Sequence, residues 1–172
     1  MARRTSLREF QQYLNDRLGS LAQSDHGSSS LLGVEAGGRR WLFDLAESGE
    51  IVPPPPLTSV PLTHPFFLGL ANIRGNLYAV TDFSGFTGEA PISQNAPSAR
   101  LLLVGVKQGN NAALLVQRIL GLRRLEDFEA AAPSEDAPEW DVGVLTDADG
   151  QAWHRVDLKI LLSDSSFMNI AA

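Results

Sequence analysis

Apolar positions along the chain fall into two textures. Residues 5–22 place Leu7, Phe10, Leu14, Leu18 and Leu21 at steps of three or four, with arginines, glutamines and acids between them. That spacing puts all five on one side of an amphipathic helix. Thr5 or Ser6 serves as its N-cap, Glu9 completes a capping-box pattern with Ser6, and Gly19 weakens the far end. The polar run over residues 23–30 reads as a linker.

From Leu31 onward the chain breaks into short apolar runs bounded by turn residues. Residues 31–36 and 39–46 flank Gly37-Gly38, a two-residue hairpin signal, and Trp41, Phe43 and Leu45 alternate onto one face. Residues 100–106 and 112–119 flank a loop rich in glycine and asparagine. Residues 141–146 and 151–156 flank Asp147-Ala148-Asp149-Gly150, and residues 157–162 read as a capped short helix. Pro65 starts a helical turn bearing Phe66 and Phe67, Gly69 releases it, and residues 72–75 turn tightly between two apolar strands. Strands this short and closely spaced predict a mainly β fold of barrels or a sandwich. Pro53, Pro54, Pro55 and Pro56 lack backbone donors and predict a stiff surface connector, with a proline-rich ligand for another protein as the other reading.

Composition narrows the class. A chain of 172 residues with 44% hydrophobic and 20% charged positions has enough apolar content for one compact domain and falls outside the disordered class. Fourteen basic residues against 20 acids give a net charge of −6, which opposes a nucleic-acid or anionic-membrane partner. There is no cysteine, so disulfides, thiolate metal sites and cysteine nucleophiles are excluded. The apolar runs fall far short of the roughly 20 residues needed to span a bilayer, and the N-terminus lacks a signal-peptide core. A soluble cytoplasmic protein without direct membrane insertion is expected.

Candidate chemistry is sparse. His26, His64 and His154 lie far apart, neither of the two lysines, Lys107 and Lys159, follows a glycine-rich turn, and no nucleophile elbow or dinucleotide fingerprint occurs. Asp44 and Asp82 end apolar runs and read as caps and turn formers before they read as buried acids. Asp147-Ala148-Asp149-Gly150 begins like a calcium loop but has glycine too early and no closing glutamate, so it reads as a turn. No catalytic residue, metal or cofactor is assigned. Nine acids and no base lie between Glu126 and Asp149; a solvated loop and an acidic docking strip for a basic partner are the two readings.

One segment carries more. Pro65, Gly69, Asn72-Ile73-Arg74-Gly75 and Asp82, with Trp41-Leu42-Phe43-Asp44 and Glu50-Ile51 upstream, stand in the order of a known signature. Gly75 supplies a backbone shape that a side chain opposes, and Arg74 sits beside an apolar run where its five donors need a carboxylate or a partner chain. This pattern resembles the CheW-like adaptor family of bacterial chemosensory systems. The likeness extends over residues 31–163, through residues 101–106, 116–119 and 156–162. It departs from the family at Gln117, where an acid is usual, and at the four prolines. The leader and Ser84-Gly85-Phe86 are most similar to the members found in type IV pilus, twitching-motility pathways.

The resemblance implies two five-stranded SH3-like barrels sharing an apolar interface, with the N-terminal amphipathic helix and short helices added and no catalytic activity. It implies a leader and linker over residues 1–30, a two-lobed domain over 31–165 and a tail over 166–172. It also implies an adaptor between the cytoplasmic tip of a methyl-accepting chemoreceptor and the regulatory domain of a CheA-like histidine kinase, recruited to membrane receptor arrays and acting in twitching motility; an adaptor of flagellar chemotaxis and a small β-barrel enzyme are the alternative readings. Glu50, Ile51, Gly69, Asn72, Arg74 and Gly75 fall on the receptor side by this likeness, with an internal Arg74–Glu50 pair as the other reading of the arginine. No kinase-binding residue is assigned; the hairpin of residues 101–106 and 112–119 offers a candidate edge or end of a barrel, with most of its leucines and valines expected in the core. The leader has three destinations open: its own body, a partner, or a second copy.

Overall fold

The computed structural model describes residues 30–105, 109–131 and 133–172. The helix expected over residues 5–22, the linker through residue 29 and His26 lie outside the described residues. In chain order the strands are β1 (Ser30–Ala36), β2 (Arg39–Asp44), β3 (Ser48–Val52), β4 (Phe67–Ile73), β5 (Asn76–Asp82) and β6 (Arg100–Val104). They continue with β7 (Ala112–Val116), β8 (Arg118–Arg124), β9 (Glu129–Ala131), β10 (Asp141–Thr146) and β11 (Ala152–Val156). One sheet runs β8-β1-β2-β11-β10-β9 and the other β3-β6-β7-β5-β4. The fold is mainly β and two-lobed, as expected. The second sheet has five strands, and the first gains a sixth because β9, inside the acidic segment expected as loop, pairs with β10.

Local sequence explains most of the turns. Ala36 pairs with Arg39, leaving Gly37 and Gly38 at φ 63° and 71° as the two-residue hairpin turn that positive φ permits. Three short helices, α1 (Phe83–Phe86), α2 (Leu158–Leu161) and α3 (Ser165–Met168), each start at an aspartate. Asp82, Asp157 and Asp164 accept backbone N–H bonds from Gly85, Ile160 and Phe167 respectively, satisfying donors that a helix start leaves free.

Two expectations need correction. Pro65 and Phe66 do form a turn, closed by Phe67 N–H to His64 O at 3.0 Å, but Phe67 already belongs to β4 and Gly69 sits inside that strand at a bulge. The run 112–119 is not one strand. It breaks at Gln117, where the chain leaves β7 in one sheet for β8 in the other, and the Gln117 N–H donates to Glu35 O at 2.9 Å. Residues 166–172, expected as a tail, pack on the body: Phe167 is buried, His64 N–H donates to Ile170 O and Ala172 N–H to Leu62 O.

The main core draws on both sheets, with Trp41 and Phe43 of β2, Phe83 of α1 and the leucines of β6 and β7 all buried. Fully burying such side chains stabilises by about 1.5–3 kcal/mol each. Alternation predicts one buried face for β2, yet Leu42 is buried as well, packed with Leu31, Leu145 and Trp153 in a second cluster. Both faces of β2 are therefore covered, as in a strand sandwiched between two layers. Trp153 lies against Gly33, where a Cβ would stand 2.8 Å from the ring, and the guanidinium groups of Arg40 and Arg123 cover the indole at 5.6 and 5.3 Å. Strands β6 and β7 lie inside their sheet and are buried almost throughout, so their leucines and valines are core, as expected, and the hairpin offers no free sheet edge, while its end at residues 109–111 is exposed. Among the described residues no helix is long and apolar enough to cross a membrane.

Candidate functional site

Four of the six residues assigned from the signature lie on β4 and the turn that follows it. Asn72 pairs with Leu77 and Ile73 with Asn76, so Arg74-Gly75 is a two-residue hairpin turn with φ 53° and 83°. Glycine adopts that conformation freely; arginine does so at a cost, in a position that usually holds asparagine. Asn72 Oδ1 accepts the Gly75 N–H at 2.9 Å and holds the turn shut. The side chain of Arg74 is thereby aimed away from its own strand.

Its target is Glu50. Arg74 Nη1 donates to Glu50 Oε2 at 2.5 Å, and Nη2 donates to Oε1, a bidentate pair with side chains 71% and 41% exposed. The hydrogen bonds and charge of Glu50 push the Arg74 guanidinium above its already high ordinary value, so the cation is permanent. Glu50 reaches this position because β3 carries an extra residue: Ser48 pairs with Val104 and Ile51 with Leu102, leaving Gly49-Glu50 as a bulge. A Cβ at Gly49 would stand 2.7 Å from Leu103 O, so the close approach needs glycine. That glycine within a strand run is the signal the sequence holds for the bulge.

Gly69 plays a different part. It is buried at φ 126°, and a Cβ there would fall 2.1 Å from Thr58 O. Thr58, just beyond the prolines, exchanges both backbone hydrogen bonds with Leu70 at 2.8 Å. The proline run thus carries the chain from β3 to β4, and Gly69 is the gap that admits it. Thr58 is a further residue of the site that sequence reading missed. Exposed apolar surface completes the rim: Ile51 is 38% exposed beside Glu50, and Leu77, opposite Asn72, is 59% exposed. The structure brings Glu50, Asn72, Arg74 and Gly75 together; Gly69 supports them from below, and Ile51 flanks them.

Three aspartates singled out in the sequence serve structure. Asp82 accepts from Gly85 N–H and, through Oδ2, from Ile92 N–H at 2.8 Å. Asp44 Oδ1 accepts from Ala46 N–H. Asp147 Oδ1 takes the N–H groups of Asp149 and Gln151 while Oδ2 takes the Trp153 indole N–H, bonds that hold the carboxyl below its usual range, so the segment is a turn. Among the described residues no group of three or more histidines and carboxylates is placed to hold a metal ion.

Comparison with known proteins agrees with this architecture. The model of the CheW-like domain matches residues 30–166. Protein PilI of Pseudomonas aeruginosa is 29% identical over 114 residues, which cover 64% of this chain and 62% of PilI, so the match spans less than two thirds of that relative's length. The scaffolding protein TtCheW from Thermoanaerobacter tengcongensis shares the fold with a TM-score of 0.65 over 81% of this chain and 96% of its own, at 18% identity. Since the domain match runs through both sheets and over most of the chain, this protein belongs to the CheW-like domain family, a family of non-catalytic scaffold adaptors.

Proposed function

We propose that the protein couples the cytoplasmic tip of a methyl-accepting chemoreceptor to the regulatory domain of a CheA-type histidine kinase, in the control of type IV pilus twitching motility. The observation that carries this reading is the family match over residues 30–166, with an exposed Arg74–Glu50 pair on the segment that bears the family signature. The likeness to PilI supports the pilus branch over flagellar chemotaxis.

On this reading the receptor tip, a helical hairpin, lies against Ile51 and the Arg74 turn. Apolar contact supplies area, and the fixed guanidinium and Asn72 amide set orientation. Two binding faces on one rigid body let a receptor rearrangement bias the kinase without any chemistry by the adaptor.

The test is a pull-down with purified receptor cytoplasmic domain and kinase regulatory domain. Wild-type protein retains both, and Arg74→Glu loses the receptor while keeping the kinase. Retention of neither domain by the wild type overturns the reading. In the native cell, loss of twitching with intact swimming on deletion supports the pilus branch; loss of swimming alone assigns the protein to flagellar chemotaxis.

A further inference from the structure

A second surface is built from elements that do not carry the Arg74–Glu50 pair. A cleft of about 270 Å³ opens between β2, the end of α1, the start of β10 and the start of α3. Its volume lies below the roughly 300–1,000 Å³ of small-molecule pockets, a size for one side chain rather than a cofactor. Its aromatic wall is Trp41, Trp140 and Phe86, with ring centroids of Trp140 at 5.9 Å from Trp41 and 5.7 Å from Phe86.

Asp141 is the unusual member. Its side chain is only 8% exposed, and Oδ2 is hydrogen-bonded to His154 Nδ1 at 2.8 Å. Its other oxygen, Oδ1, is buried and has no hydrogen-bond partner. A buried carboxylate oxygen without a donor is costly, and the fold retains it at the wall of an open cleft. Asp164 adds a second carboxylate, while the Arg39 guanidinium on the rim is already held by Glu89 at 3.1 Å. Acidic charge therefore exceeds basic charge around an aromatic wall.

A cation with planar N–H donors fits both features. Lysine offers a compact, strongly hydrated point charge; the arginine guanidinium stacks on indole and phenyl faces while still presenting donors at its edge. We propose that this cleft receives an arginine side chain of a partner polypeptide, stacked against Trp140 and Phe86 with its N–H groups directed to Asp141 Oδ1. The site gives the protein a contact distinct from the Arg74 rim, for a partner bearing an exposed arginine.

The indole N–H signals of the full chain report occupancy in a nitrogen–proton correlation spectrum. Trp140 and Trp41 belong to the cleft, whereas Trp153 lies in the second cluster under Arg40 and Arg123. Titration with N-acetyl-L-arginine N-methylamide is expected to shift the Trp140 and Trp41 signals saturably and leave Trp153 in place. The citrulline analogue, of the same shape without charge, is expected to shift none. Asp141→Asn, which sets an amide against the incoming donors, is expected to weaken binding at least about tenfold, with its melting curve checking the fold. Absence of a saturable shift, an equal response to citrulline, or undiminished binding by a folded Asp141→Asn overturns the proposal. Binding of free arginine at least about tenfold tighter than the blocked form overturns the polypeptide source and leaves a small-molecule site.

Discussion

Arg74 grips Glu50 across the two outermost strands of the five-stranded sheet. Glu50 lies on β3 and Arg74 at the end of β4, which stand at opposite ends of the order β3-β6-β7-β5-β4. The sheet curls until its two end strands come within reach of one ion pair, and Thr58, in the connector between them, pairs on the backbone with Leu70 of β4. Arg74 is thus both a brace and an exposed charge.

Charge reversal separates the two parts. Because the pair is largely solvent-exposed, Arg74→Glu is expected to cost about 1 kcal/mol or less of stability, read from denaturant unfolding. Receptor-tip affinity is expected to fall at least about tenfold. The charge-swapped double variant, Glu50→Arg with Arg74→Glu, restores the internal pair and is expected to leave binding lost. Full recovery of binding would reduce Arg74 to a brace.

Gly69→Ala combines backbone strain at φ 126° with a Cβ placed 2.1 Å from Thr58 O. A loss of about 3 kcal/mol or more is expected, along with release of the Thr58–Leu70 pairing. Urea unfolding gives the first, and faster hydrogen exchange at the Leu70 amide gives the second. A variant as stable as wild type would contradict the packing described for Thr58.

Asp82→Ala removes two acceptors at once, those of the Gly85 and Ile92 N–H groups. Loss of a helix cap and an unpaired buried donor together predict about 2–4 kcal/mol of destabilisation. Asn at this position keeps an oxygen for one of the two donors and is expected to lose less. The ranking of the two variants in thermal unfolding is the check.

Asp147 carries a pH signature. The Trp153 indole N–H and then the Gln151 backbone N–H lower its folded value, so its ionised form favours the fold. That contribution is complete above the unfolded carboxylate value and disappears as pH falls through the folded one. Asp147→Asn is expected to reduce stability at about pH 7 and to reduce it much less at about pH 3. Equal losses at the two pH values would show that charge at Asp147 plays no part.

What the sequence makes legible follows from the range of each interaction. The Gly37-Gly38 and Arg74-Gly75 turns, the Asp157 cap of the short helix after it and the Asp147 turn are decided by neighbours within a few residues, and each reads directly from the chain. The signature segment and the adaptor family follow from residues in fixed order along one stretch. The leader's helical spacing is equally plain, although it lies outside the described residues.

Other features depend on contacts between distant segments, and no local pattern encodes them. The break at Gln117 looks like one continuous strand until the two sheets claim its halves, because β7 and β8 are both apolar enough to be either. Gly69 looks like a helix terminator until Thr58, eleven positions earlier, comes to lie against it. Leu42 is buried only because a second cluster forms on the far side of β2. Glu50 could be named as the partner of Arg74, but their meeting required a bulge on one edge, a left-handed turn on the other and a sheet curved enough to join them. Local propensity sets turns and caps; long-range packing selects which edges, faces and side chains meet.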